Sequence, residues 1–150
     1  MHKIYMAHPI SGQSYVSVMS YYTRVTKLLK KFGYEVLCPM TGKEMLRTDM
    51  KLRSHGLDQS PVTTNHAISE RDRWMVSSSD IVYLNLLGAT MASIGCCMEL
   101  AWAHDKGKHT IVVLEPGNIH EHAFVLEAAD VVFNNEADAL LYLKKLSKGI

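Results

Sequence analysis

Short apolar runs of strand length alternate along this chain with segments whose apolar residues recur every three or four positions, and that alternation restricts the fold more than any other feature. Four runs are clear: Lys3 to Ala7, Glu35 to Cys38, Ile81 to Leu86 and Thr110 to Leu114. A weaker fifth spans Asp130 to Phe133. Each is rich in β-branched or aromatic residues. The clearest helical segment steps through Val18, Tyr22, Val25, Leu29 and Phe32 and stops at Gly33, a residue type that commonly ends helices. Further helical segments run from about Ala67 to Ser78, from about Gly95 to Asp105, and from Glu136 to Leu146, the last with Ala139, Leu140, Leu143 and Leu146 on one face. Strands alternating with helices imply a parallel sheet joined by right-handed crossovers. Ligands bind such sheets beyond the carboxyl ends of the strands, where strand order reverses. The loops to watch are therefore residues 8–15, 39–66, 87–94 and 115–122.

The length of 150 residues suits one domain spanning 1–150, and 47% hydrophobic content is enough to give it a core. Sixteen basic residues against fifteen acidic ones leave a net charge of +1, which is no footprint for a nucleic-acid polymer or an anionic membrane. A small-molecule partner is expected instead. No apolar stretch nears the ~20 residues needed to cross a bilayer, and the start of the chain lacks the apolar centre of a signal peptide. Cys38, Cys96 and Cys97 have no disulfide-framework spacing, so a reducing, cytoplasmic setting is expected. The 39–66 stretch is long and aperiodic, the form taken by lids, binding loops or disordered insertions.

The chemistry is expected at Glu99, in the segment Ser93-Ile-Gly-Cys-Cys-Met-Glu-Leu-Ala-Trp-Ala-His104. Placed in the first turns of a helix, this carboxylate would be held ionised by unpaired amides and the helix dipole, as a nucleophile or a partner for a developing cation requires. Asp72, on the helix feeding the preceding strand, can converge on the same pocket. Arg71 and Arg73 flank it, and neighbours on a helix point apart.

The stretch Glu70-Arg-Asp-Arg-Trp-Met-Val76, then Asp80-Ile-Val-Tyr-Leu-Asn85, the Ser93–Ala103 segment and Gly107-Lys108 resemble the nucleoside 2-deoxyribosyltransferase family. The opening Ile4-Tyr-Met-Ala-His-Pro-Ile-Ser-Gly12 does so too. The likeness runs from the first strand and fades after about Phe133. With the strand–helix alternation it gives the expected fold, a single-domain, Rossmann-like (flavodoxin-like) doubly wound parallel sheet of five strands. It also implies cleavage of the bond between a deoxyribose and its base: Glu99 attacks the anomeric carbon, Asp72 protonates the leaving base, and Tyr5 orients the glutamate. The chemistry agrees, since an oxocarbenium-like centre needs an anion on one face and a proton donor on the leaving group.

Within the family's pattern the position six before the glutamate separates nucleoside transferases, acidic there, from hydrolases of 2'-deoxynucleoside 5'-monophosphates, which carry serine. Here it is Ser93. A hydroxyl can donate to a phosphate that a carboxylate would repel. Ser93, the Gly95 backbone and the turn containing Ser11, Gly12 and Ser14 are the expected phosphate cradle. The arginine those hydrolases carry in the first loop is missing, and Arg24 lies too deep in the helix. His120 and His122 are candidates to reach phosphate or base across a subunit interface, implying a homodimer or higher oligomer with shared sites. As a metal site the His-x-His pair lacks a third ligand, and no cofactor is expected. Lys43, Arg47, Lys51, Arg53, His55 and His66 suggest substrate closure or a solvated charged face. Met40, Met45, Met75 and Met98 would pad a base pocket or fill the core. A catalytically silent nucleotide sensor and a base-exchanging nucleoside transferase are the competing readings. A dinucleotide-binding enzyme is disfavoured, because no Gly-x-Gly-x-x-Gly follows the first strand.

Overall fold

In the computed structural model, which describes residues 1–44, 52 and 60–149, all five runs are strands of one parallel sheet: β1 (Lys3–Ala7), β2 (Glu35–Leu37), β3 (Ile81–Asn85), β4 (His109–Val113) and β5 (Val131–Phe133). Their order is β2-β1-β3-β4-β5, the doubly wound arrangement expected, and the direction of winding reverses between β1 and β3. These two strands pair from Ile4 with Ile81 to Ala7 with Leu84, so their carboxyl ends finish level. The loops that leave them face each other across that reversal.

Alternation along β1 divides the core in two. Ile4 and Met6 point to a cluster shared with α1 (Tyr15–Phe32) and α5 (Glu136–Leu146), where Val18, Tyr22, Val25, Leu29, Ala139 and Leu143 are buried. Tyr5 and Ala7 point the other way, towards α2 (Asn65–Ser78), α3 (Ile94–Asp105) and α4 (Ala123–Ala128), which supply Met75, Val76, Cys96, Leu100, Ala103 and Val125. β3 is buried along its whole length, as a strand covered by helices on both faces must be.

The helix ends follow local chemistry. Ser14, Thr64, Ser93 and Asn135 each cap a helix with a side-chain oxygen that accepts an amide of its first turn. Gly33 ends α1 in the left-handed region at φ 101°, where a side chain would be strained. α4 has no counterpart in the sequence reading. It is six residues long, and a single amphipathic period is too little to register as a pattern.

Candidate active site

A cavity of about 680 Å³ opens at the reversal point between β1 and β3. The β1–α1 loop provides His8 to Ser11, the β3–α3 loop provides Met91 to Ser93 and the start of α3 adds Ile94 and Gly95, while Asp72, Glu99 and Lys43 line its floor. Ile68 from α2, Met40, and Met98 and Trp102 from α3 form apolar walls. The cavity has the size and mixed lining of a small-molecule site.

Three elements bring the polar floor together. Tyr5 points from β1 to the α2–α3 face of the sheet, and its hydroxyl donates to Glu99 Oε1 over 2.8 Å. Asp72 enters from the middle of α2, where Lys43 Nζ approaches its Oδ2 to 3.2 Å. Both members of that ion pair are buried, at 3% exposure for Lys43 and 8% for Asp72. The other carboxylate oxygen of Asp72 is also buried and has no hydrogen-bond partner among the described residues. An acceptor left so is costly unless a ligand or a proton completes it.

Glu99 departs from expectation. It is the sixth residue of α3, beyond the amides that the helix start leaves free, and it is buried. Desolvation, reinforced by the nearby Asp72 charge, pushes its carboxyl up from the usual 4.5 to about 8, against the opposing pull of the Tyr5 hydrogen bond and Lys43. At neutral pH the free site therefore holds it mainly protonated, because distance removes the helix dipole's help and burial penalises the charge. Asp72 is also raised by burial, with Lys43 and then Arg71 opposing. The Asp72 charge raises Glu99, so one proton held by the pair relieves both carboxylates.

Of the phosphate cradle, Ser93, Gly95 and Ser11 line the cavity. Gly12 and Ser14 stand outside its lining: Gly12 donates its amide to the Leu52 carbonyl over 2.8 Å, and Ser14 is used in capping α1. His120 is turned inward, 3% exposed, with its Nε2 accepting the Ser93 amide at 2.8 Å and its Nδ1 donating to Asn118 Oδ1 at 3.0 Å. Both ring nitrogens are thus spent on fixing the β3–α3 loop. His122 is exposed and caps α4 by accepting the Phe124 amide. Neither histidine lines the cavity.

Arg71 reaches the Val62 carbonyl and Arg73 pairs with Glu70, so neither side chain lines the cavity. Arg24 bridges α1 to Glu136 of α5 at 2.9 Å. Met40 and Met98 line the cavity, whereas Met75 is core. Within the basic series of the long loop, Lys43 is a buried cavity residue rather than part of a solvated face, and His66 lies exposed on α2. Arg47, Lys51, Arg53, His55 and Met45 fall outside the described residues. Among the described residues no group of three or more His, Cys, Asp or Glu could hold a metal ion, and no helix is long and apolar enough to cross a membrane. His8 was not singled out in the sequence, although it follows β1 directly. It stacks on Tyr21 at 4.1 Å, and its Nδ1 donates to the Asn85 carbonyl at 2.9 Å. Burial lowers its pKa, which leaves a neutral ring in the cavity wall.

The architecture is matched by known proteins. A 2-deoxyribosyltransferase from Bacillus psychrosaccharolyticus superposes with a TM-score of 0.65 at 16% identity, covering 92% of this chain and 90% of that one. A 2-deoxyribosyltransferase from Leishmania mexicana gives 0.64 at 18% identity over 97% and 98%. The CMP N-glycosidase of Clostridium botulinum gives 0.57 at 15% identity over 99% of both chains. Identities this low establish a common fold. No curated protein matches the chain in sequence. The model of the family described as nucleoside 2-deoxyribosyltransferase matches residues 4–134, which takes in all of the sheet but Lys3 and the whole polar floor of the cavity. By that match the chain belongs to the nucleoside 2-deoxyribosyltransferase family.

Proposed function

We propose that this chain is an enzyme that cleaves the N-glycosidic bond of a 2'-deoxynucleoside 5'-monophosphate and releases the free base to leave a phosphorylated sugar. Ser93 carries the choice of a phosphorylated substrate. It caps α3 at the cavity wall six residues before Glu99, and Gly95 adds a first-turn amide that has no carbonyl of its own helix to donate to. In the productive form Asp72 holds the shared proton and Glu99 is the carboxylate. Glu99 attacks the anomeric carbon while Asp72 protonates the departing base, and water then opens the glycosyl ester. Tyr5, donating to Glu99, favours the ionised form that this step needs.

One observation favours a nucleoside transferase instead. Among the described cavity residues the basic side chains are Lys43, already paired with Asp72, and a neutral His8. No described arginine is available to meet a phosphate dianion there. Incubation with a deoxynucleoside monophosphate, and separately with a deoxynucleoside and a second free base, distinguishes the readings. Base release from the first supports the hydrolase, and base exchange in the second supports the transferase. Ser93→Asp should cut activity on monophosphates by about tenfold or more while sparing nucleosides, by placing a carboxylate where the phosphate sits. Equal losses on both substrates would remove Ser93 from phosphate recognition.

This reading includes a second copy of the chain. Ile94, Met98, Ile119 and Phe124 are exposed around the α3–α4 side of the molecule, at 74% for Ile94 and 81% for Phe124. Apolar side chains clustered so suit an interface in a homodimer or higher oligomer. Three free thiols suit a cytoplasmic setting.

A further inference from the structure

Lys43 is an expensive residue to bury. A buried ammonium needs a counter-charge, and Asp72 provides it at 3.2 Å. That contact occupies one of its three N–H donors and one of the two Asp72 oxygens. The other Asp72 oxygen has no partner among the described residues. Both side chains line the cavity, between walls formed by Ile68, Met40, Met98 and Trp102 that suit the faces of a flat heterocycle. In the productive form, with the proton on Asp72 and the negative charge on Glu99, the floor offers two polar groups side by side: a carboxyl able to donate a proton, and an ammonium able only to donate.

A pair of that kind selects among bases. On the edge of a 6-oxopurine, N7 and O6 are adjacent acceptors, whereas adenine presents N7 beside an amino donor. Resting on the N-glycosidic reading above, we propose that the Lys43–Asp72 pair reads the leaving base, and that the enzyme acts on hypoxanthine and guanine derivatives in preference to adenine ones. Asp72 passes its proton to N7 as the bond from the anomeric carbon to N9 breaks, with the electron pair leaving on the base and Glu99 forming the new carbon–oxygen bond. Lys43 donates a hydrogen bond to O6 throughout, drawing charge from the departing ring. It keeps its proton, and the carboxylate left on Asp72 becomes its counter-ion. With adenine the ammonium faces an amino group, donor against donor, and Lys43 stays unsolvated in a buried site.

The test compares kcat/KM for deoxyinosine and deoxyadenosine, each free and as the 5'-monophosphate, in the wild type, Lys43→Met and Lys43→Arg. The wild type should prefer the 6-oxo substrate by about ten- to a hundredfold, the range of one well-made base contact. Lys43→Met should reduce the ratio to within about threefold, and Lys43→Arg should retain most of it. Calorimetric binding of free hypoxanthine and free adenine to the wild type gives the same answer independently of the folding of any variant: hypoxanthine should bind at least tenfold tighter. Equal rates on the two bases, equal affinities for them, or a ratio that survives in a folded Lys43→Met protein overturns the proposal while leaving glycosidic cleavage standing. Absence of base release from all four substrates overturns this inference, and absence of both release and base exchange across purine and pyrimidine deoxynucleosides and their monophosphates sinks the glycosidic reading as well.

Discussion

Glu99 carries opposite demands from folding and from chemistry. With its carboxyl raised from 4.5 to about 8, the unfolded chain releases a proton between those pH values that the folded chain keeps. Stability therefore declines as pH rises across that window. Glu99→Gln keeps the shape and removes the titration, so its melting temperature should exceed the wild type's by a margin that is small at pH 5 and grows to several degrees by pH 8.5. The same variant should lose base release by at least about a thousandfold, since an amide cannot replace the nucleophile. A pH-independent margin would show that Glu99 is not the strained carboxyl. On the proposed mechanism catalysis follows the pair rather than either acid, with the singly protonated form active, so kcat/KM should trace a bell whose alkaline limb falls near pH 8. Tyr5→Phe, which deletes the hydrogen bond favouring the Glu99 carboxylate, should move that limb upward and lower the rate by about tenfold. A limb that stays in place in Tyr5→Phe would separate it from Glu99.

At the level of elements, α3 and the loop before it are held by a chain of hydrogen bonds that runs from Leu86 and Glu115 through Asn118 and His120 to the Ser93 amide. His120→Ala should cost about 1–3 kcal/mol by leaving the Ser93 amide unpaired, and should raise KM for a monophosphate more than for a nucleoside. Thermal melts and paired kinetics check both, and a loss of binding without loss of stability would return His120 to direct substrate contact. Strands and long helices could be read from the sequence because periodicity is local: β1 and α5 fall within the bounds their patterns set. The Glu99–Tyr5 bond, 94 residues apart, was reachable only through the family likeness. Lys43 stood in the sequence only as one of a series suited to substrate closure or a solvated face, because nothing in an aperiodic charged stretch shows that the fold brings Asp72, 29 residues on, against it. The place of Glu99 in the cavity was legible and its burial was not. Burial depends on packing from all sides, whereas helix position alone suggested a favourable dipole.

Across the whole molecule, the exposed apolar side of α3 and α4 adjoins the cavity through Ile94 and Met98, which contribute both to the surface and to the cavity lining. If a second copy covers that side, Phe124→Asp should shift the protein towards monomer in light scattering and raise KM by about tenfold, because the partner also closes the cavity mouth. A protein that is monomeric before the substitution, with KM unchanged by it, would place the whole site within one chain.

Leu52 is buried against the β1–α1 loop, its amide donating to the Gln13 carbonyl and its carbonyl accepting the Gly12 amide, both at 2.8 Å. Since Leu52 also lines the cavity, lifting that wall breaks two backbone bonds, each worth about 1 kcal/mol net. The Gly12 and Leu52 amides are in effect a clock for access: their exchange with heavy water times how often this part of the wall opens, and a bound nucleotide should slow it.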